Sequence, residues 1–518
     1  MSSDPIRDLL KSARQAMASG NLRQAGMSAR EAVARAPEHA RANLVLGIIL
    51  REMGDFPTAV EHLQKAAAAA PEDVEIQFNL ANTLHSNPRR LEEAKPIYEK
   101  CVELAPDSVP AHAALAKLYE ELSELDEARR VATRALELSP DHPASLLVVA
   151  LVDMRQDKLE EARAGFERLI LAEGGALVSK LPPVTRSTAF NRYAATLDRL
   201  GEYNEAASFF DRAQRVRWSC PDARNVRPNQ PLRVLEDSKR AVTPELLRAW
   251  SEERHDDGVT DPVFLVGFPR SGTTLTEQIL AAHPGVVTLD ESSPLAEVLP
   301  KIAARTSAGT YPMALPKIRS DFVSELRALY AQGAEKRLDA AGAGPQGDRV
   351  LIDKLPLTIM HLPAVVRIFP NARVIVALRD PRDACVSAFT QLMQPNNAMS
   401  HLRSVGSAAP FYAQVMGRWL EIRDTLPIPW IESRYEDLVT DTEASARRLV
   451  EFLGLAWDDE VMRYREKIEG KSISTPSYEA VSRPVSTASV GRWRNYASQF
   501  EGVGDVLAPF LDAFGYER

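Results

Sequence analysis

Pro262-Val263-Phe264-Leu265-Val266-Gly267-Phe268-Pro269-Arg270-Ser271-Gly272-Thr273-Thr274 decides the fold of the second half of this chain. Residues 262–267 form a short apolar run with the character of a buried strand, and residues 275–284 read as a helix. A glycine-bearing turn from strand to helix leaves backbone N–H groups aimed at one spot. There the helix dipole adds to their attraction for phosphate, so the stretch predicts an anion cradle.

As a pattern, Gly267-x-x-x-x-Gly272-Thr273-Thr274 is the triphosphatase loop with threonine in place of its lysine. In phosphoryl transfer that lysine touches the transferred group, beside a magnesium ion held by the next hydroxyl. Here the cation is Arg270, two residues before Gly272, which argues against a kinase or triphosphatase. Farther along, residues 373–378 read as a second strand, followed by Arg379-Asp380-Pro381-Arg382-Asp383-Ala384-Cys385-Val386-Ser387. An arginine with a hydroxyl suits a terminal phosphate, since hydrogen bonds to a charged acceptor contribute about 1.5–3 kcal/mol each. Alone, such a phrase is a strand end with an ion pair; two phosphate motifs in the right order on strand ends make that reading weak.

The 518 residues predict two to four domains. A hydrophobic fraction of 45% and a charged fraction of 26% exclude a disordered or fibrous chain. The net charge of -8 gives no chain-wide attraction for nucleic acid or anionic membrane, so neither is an expected partner, although a local basic pocket can still bind a small anion. Cys101, Cys220 and Cys385 are odd in number and far apart, which fits a reducing cytosol better than a disulfide framework or zinc ribbon. The N-terminal residues lack a signal-peptide core, and the longest strongly apolar run, residues 146–152, stops at Asp153. The expectation is a soluble cytoplasmic protein.

The first 217 residues repeat. Pro37, Pro71, Pro106 and Pro140 recur at intervals of 34, 35 and 34, and Ala25, Ala59, Ala94, Ala128 and Ala162 recur with them. In one unit Leu46, Gly47 and Leu50 mark a first helix, and Ala59, Leu63 and Ala66 a second. Short side chains recur because two antiparallel helices approach closely only where side chains are small. The pattern resembles the tetratricopeptide repeat, with units near 6–39, 40–73, 74–108, 109–142, 143–176 and 187–217. An array of this kind implies a superhelix whose concave face holds an extended peptide, or an arm for scaffolding or homodimerisation.

The second half resembles the sulfotransferases that use 3′-phosphoadenosine 5′-phosphosulfate. Their 5′-phosphosulfate loop reads much like residues 268–274, which implicates Arg270, Ser271, Gly272, Thr273 and Thr274 in donor binding. Their 3′-phosphate motif matches Arg379 and Ser387. The segment 283–293 is similar to that of tyrosylprotein sulfotransferases, whose catalytic glutamate lies 21 residues beyond the loop arginine, and the matching residue is Glu291. A general base of this kind contributes about 10^2 to 10^4 in rate. On residue type alone, Asp290 and Glu291 before Pro294 also read as a helix N-cap.

The same resemblance sets Lys354 of Leu351-Ile352-Asp353-Lys354-Leu355-Pro356 against the leaving oxygen, where a compact charge follows developing negative charge. Without it, Lys354 reads as a solvated strand-end lysine. Tyr435 matches a tyrosine near adenine, and otherwise reads as a core aromatic. Ser477 and Arg492 match a catalytic serine and a phosphate-binding lysine of the tyrosylprotein enzymes. His361 and His401 are alternative bases, since small-molecule sulfotransferases commonly use histidine; each reads more simply as a structural residue. The family requires no metal.

These readings predict an α-solenoid over 1–217, a connector over 218–261 with a helix near 244–253, and an α/β domain of the phosphate-loop type over 262–518 with a central, mostly parallel sheet. They imply transfer of a sulfuryl group to a hydroxyl, leaving 3′-phosphoadenosine 5′-phosphate. The favoured acceptor is a protein or peptide tyrosine held by the repeats. Alternatives are a small alcohol, carbohydrate or lipid, with the repeats as an assembly arm, or a nucleotide-binding scaffold without catalysis. Arg270, Lys354, Arg379 and Arg492 are expected to converge on one nucleotide.

Overall fold

The computed structural model describes residues 5–305, 309–467 and 486–518. It divides into two compact units, the first ending at Glu202 and the second beginning at Tyr203. Among the described residues no helix is long and apolar enough to cross a membrane.

The first unit is built from antiparallel helix pairs: Pro5–Ala18 with Leu22–Arg35, Ala40–Glu52 with Phe56–Ala69, and Val74–His85 with Leu91–Leu104. Val109–Glu121 with Leu125–Leu138 and Pro143–Arg155 with Leu159–Ile170 continue the stack, and Pro183–Arg199 follows. Short polar side chains start several helices by accepting an otherwise orphaned N–H: Asn21 from Gln24, Asp55 from Thr58, and Ser108 from Ala111. The recurrent alanines Ala25, Ala59, Ala94, Ala128 and Ala162 are all fully buried. Gly47 shows why size matters, since a Cβ there would lie 2.6 Å from Leu63 Cγ of the partner helix.

The second unit contains a five-stranded, wholly parallel sheet: β1 (Val263–Gly267), β2 (Val286–Asp290), β3 (Val350–Lys354), β4 (Arg373–Leu378) and β5 (Trp430–Arg434), in the order β2-β3-β1-β4-β5. Its central strands are nearly all apolar because helices cover both faces. On one face Val263, Leu265, Ile352 and Ile375 pack with Leu275, Ile279, Leu449 and Val450. On the other, the ring of Phe264 meets Phe369, which packs edge-on against Tyr330 at 4.8 Å between centroids.

Strand β2, unread in the sequence, is an edge strand defined by its pairing with β3. The helix expected over 275–284 runs Thr273–Ala281, because residues 282–285 turn the chain into β2. Two helices, Asn229–Ala241 and Pro244–Ser251, occupy the segment where one was expected.

Strand β1 is central, and the chain leaves it toward both edges, so a crevice opens at the C-terminal ends of the strands. Every strand delivers a candidate residue there. The loop 267–274 follows β1, Glu291 follows β2, Lys354 ends β3, Arg379 follows β4 and Tyr435 follows β5.

Candidate functional site

A cleft of about 650 Å3 lies over these strand ends, lined in part by Arg270, Gly272, Thr273, Thr274, Glu291, Arg379, Ser387 and Tyr435. The loop that follows β1 needs glycine at two points. Gly267 has φ +153°, and a Cβ would stand 2.5 Å from Ala377 O of β4; Gly272 has φ +90°, and a Cβ would stand 2.7 Å from Tyr435 Cδ2. Gly272 is also the N-cap of helix Thr273–Ala281 and has no side chain with which to cap it, so the first amides face the cradle. Arg270 (φ +72°) and Glu291 (φ +44°) hold left-handed backbone conformations that cost non-glycine residues energy and mark constrained sites.

The cations are organised around Arg379. Its Nη1 donates to Arg270 O at 3.1 Å, its Nη2 donates to Ser489 O at 2.7 Å, and its guanidinium lies 4.7 Å from the Tyr435 ring centroid. Arg270 Nε donates to Ser387 Oγ at 3.2 Å. Burial and then the nearby Arg379 push the Arg270 guanidinium down to about 10, which leaves it charged at neutral pH; Arg492 acts in the same direction. Two arginines packed together in a cleft form a place where a shared anion gains from both. Ser271 is buried within the loop.

Lys354 is fully buried rather than solvated. Its Nζ lies 2.5 Å from Asp290 Oδ1, 3.1 Å from Glu291 Oε1 and 3.3 Å from Glu277 Oε2. Burial favours the neutral amine, but Glu277, Glu291 and Asp290 outweigh it and hold the ammonium above its ordinary value. Asp290 ends β2 and Glu291 follows it, and the carboxylates of both reach this lysine. Glu291 remains accessible, with its side chain 41% exposed.

The turn carrying Glu291 is braced from below. Asp353 Oδ2 accepts from Ser293 Oγ and from Tyr330 OH, both at 2.6 Å, and Ser293 Oγ accepts from Leu295 N. Burial pushes the Asp353 carboxyl up to about 6, against the pull of those two hydroxyls.

The histidines sit elsewhere. His361 Nδ1 is 2.7 Å from Tyr311 OH, and burial pushes the imidazole down to about 4. His401 is hydrogen-bonded to Pro228 O and stacks on Phe411. Neither lines the cleft. Cys101, Cys220 and Cys385 are free and buried. Ser477 lies outside the described residues.

Residues 262–459 match the model of the Sulfotransferase family. The second unit contains a sulfotransferase-family domain. Tetratricopeptide repeat models match residues 16–77, 88–133 and 113–176, so the helix pairs ahead of this sulfotransferase domain are tetratricopeptide repeats. Among similar proteins, an uncharacterised protein of Aquifex aeolicus is 26% identical over 63% of this chain and 42% of its own length. Protein-tyrosine sulfotransferase 2 of Gallus gallus is 28% identical over 49% of this chain and 69% of its own. Protein-tyrosine sulfotransferase A of Caenorhabditis elegans is 28% identical over 51% of this chain and 70% of its own.

The sulfotransferase domain uses residues that sequence reading passed over. Glu277 is fully buried, and neither carboxylate oxygen has a well-formed hydrogen bond. The local sequence gives no signal for it, since the same helix also carries Thr273, Thr274, Thr276 and Gln278. Asp383, buried just beyond Arg379, accepts from Gly491 N at 2.6 Å and Trp493 N at 2.7 Å. Gln214 lies on helix Tyr203–Trp218, read in sequence as part of the last repeat. Its Nε2 donates to Phe389 O and Gln391 O, both at 2.8 Å, and Arg217 reaches Gln394 Oε1 at 2.9 Å. These two side chains brace the segment from which Gln391, Met393 and Gln394 face the cleft.

Proposed function

We propose that the sulfotransferase domain moves a sulfuryl group from 3′-phosphoadenosine 5′-phosphosulfate to an acceptor hydroxyl, and that the favoured acceptor is a tyrosine of a protein or peptide. One observation carries this reading: Arg270, Arg379 and Ser387 line one cleft with Glu291, whose side chain is exposed. The cradle fits a phosphate-bearing donor, because the first amides of helix Thr273–Ala281 have no side-chain cap and lie beside Arg270 on the cleft.

In this reading Glu291 takes the proton of the acceptor hydroxyl as its oxygen bonds to sulfur. The bond from sulfur to the 5′-phosphate oxygen breaks, and that oxygen keeps the electron pair. Arg270 and the 273–274 amides hold the 5′ end, Lys354 offsets charge on the leaving oxygen, and Arg379, Ser387 and Arg492 hold the 3′-phosphate. Tyr435 is assigned to the adenine and Ser477 to the transferring group, both on family resemblance. The apolar residues Leu355, Leu357, Leu392, Met393 and Met399, which line the same cleft, favour an aromatic acceptor over a sugar. The repeats serve to hold the peptide. The free, buried thiols support a cytoplasmic setting.

The test is transfer of labelled sulfuryl from the donor to tyrosine peptides and to small phenols by the full chain. Peptide tyrosines are expected to be the better acceptors, and Glu291→Ala to slow transfer by about 10^2-fold or more. Undiminished turnover would remove Glu291 as the base, and equal use of small phenols would remove the peptide acceptor.

A further inference from the structure

We propose that Asp383 is a positioning residue for the 3′-phosphate subsite, fixing the 491–493 turn so that Arg492 joins Arg379 and Ser387 around that phosphate. The inference rests on the donor reading of the cleft. Asp383 belongs to helix Pro381–Phe389, which starts two residues after Arg379 and carries Ser387 in its last turn. Its carboxylate is 1% exposed. A carboxylate so buried is costly unless its oxygens are hydrogen-bonded, and here both are used on the backbone of a segment distant in sequence. Oδ2 accepts from Gly491 N and Oδ1 from Trp493 N, the two amides that flank Arg492.

Neighbouring contacts fasten the same segment to the same helix. Arg379 Nη2 donates to Ser489 O, and the Arg382 guanidinium stacks 3.8 Å above the Trp493 ring while paired with Asp380. Gly491 takes φ +72°, which lets the chain turn between Ser489 and the capped amides. The Cα of Arg492 is thereby set relative to Arg379, and its charge is already felt by Arg270. Asp383 touches no substrate in this scheme and acts through Arg492.

Calorimetry on the full chain tests the proposal with two nucleotides, 3′-phosphoadenosine 5′-phosphate and adenosine 5′-monophosphate, which differ at the 3′ position. Wild type is expected to prefer the first. Asp383→Ala should erode that preference by about tenfold, the scale of one charge-assisted hydrogen bond, and leave binding of the monophosphate within about twofold. Arg492→Ala should do the same, and the double variant should lose no more than Arg492→Ala alone. Asp383→Asn, which keeps the volume but only one acceptor, provides a second reading if the alanine variant folds poorly. Equal weakening of both nucleotides, or additive losses in the double variant, would overturn the role of Asp383. A preference that survives both substitutions at Asp383 overturns this proposal alone, whereas a wild type without any preference overturns the donor reading along with it.

Discussion

Lys354 Nζ lies 3.1 Å from Glu291 Oε1, and the backbone links the same residues a second time, with Glu291 N donating to Lys354 O at 3.0 Å. The assigned base and the assigned leaving-group cation therefore form one unit. Lys354 approaches the cleft only through its carboxylates, because the side chain itself is fully buried. Two of those carboxylates, Asp290 and Glu291, are about 40% exposed, so the ion-pair cluster reaches solvent on their side. Glu277 has no exposure and remains as the counter-ion behind it.

Lys354→Met should therefore do two separable things. Removing one partner of a buried pair costs up to about 3–5 kcal/mol; Glu277, whose carboxyl burial raises to about 7, escapes part of that cost by taking up a proton, so the loss grows as pH rises, and removing both partners restores packing. Urea denaturation should show Lys354→Met strongly destabilised and Glu277→Leu/Lys354→Met recovering most of the loss. Sulfuryl transfer should stay abolished in both. A double variant no more stable than the single one would mean that Glu277 and Lys354 are not energetically paired.

Glu277 also predicts a pH dependence. Burial raises its carboxyl from 4.5 to about 7, against the pull of Lys354, with Asp290 adding to the rise. A carboxyl raised in the folded state stabilises the fold while protonated, so its contribution is complete below about 4.5 and is lost as pH climbs through about 7. The shift corresponds to roughly 3 kcal/mol across that window. Glu277→Gln should flatten the fall in unfolding free energy between these pH values, measured by denaturant titration. Parallel curves for parent and variant would count against a raised carboxyl.

What could be read in the sequence follows from the range of the forces involved. The helix pairs were legible because each unit repeats its own local pattern, and β1, β3 and β4 were legible as apolar runs ending at a turn or a cation. Strand β2 was not, since Val286–Asp290 is short and becomes a strand through its pairing with Val350–Lys354. The burial of Lys354 was equally hidden. A lysine at a strand end looks solvated until Glu277, from another element, is brought beneath it. Gln214 sits in a helix with repeat character, yet the carbonyls it caps belong to Phe389 and Gln391. Long-range partners of polar groups leave no local trace.

In the cradle, Gly272→Ala should be damaging for two independent reasons. Its φ of +90° strains any residue with a Cβ, and the added methyl would meet Tyr435 Cδ2 at 2.7 Å. Moving Tyr435 disturbs the ring beneath the Arg379 guanidinium. The expected outcome is a loss of about 1–3 kcal/mol in stability and at least tenfold weaker binding of 3′-phosphoadenosine 5′-phosphate, followed by thermal denaturation and calorimetry. Wild-type binding by this variant would show that the turn tolerates a side chain.

In the repeats, Gly47 offers the opposite test, because helix propensity and packing pull in different directions. Alanine is favoured over glycine inside a helix by about 1 kcal/mol, so an exposed Gly47 would be stabilised by the change. Here the new methyl would stand 2.6 Å from Leu63 Cγ and 3.2 Å from Ala59 O across the helix pair. Overpacking of that kind costs about 1–3 kcal/mol, and Gly47→Ala should be destabilising on balance. Leu63→Ala alone opens a cavity and costs about 2–5 kcal/mol. Combined, the two changes should cost at least about 0.5 kcal/mol less than their sum, because the added methyl then enters the space Leu63 vacated. Strict additivity in a denaturant double-mutant cycle would show that the helix pair is not held at the distance set by Gly47.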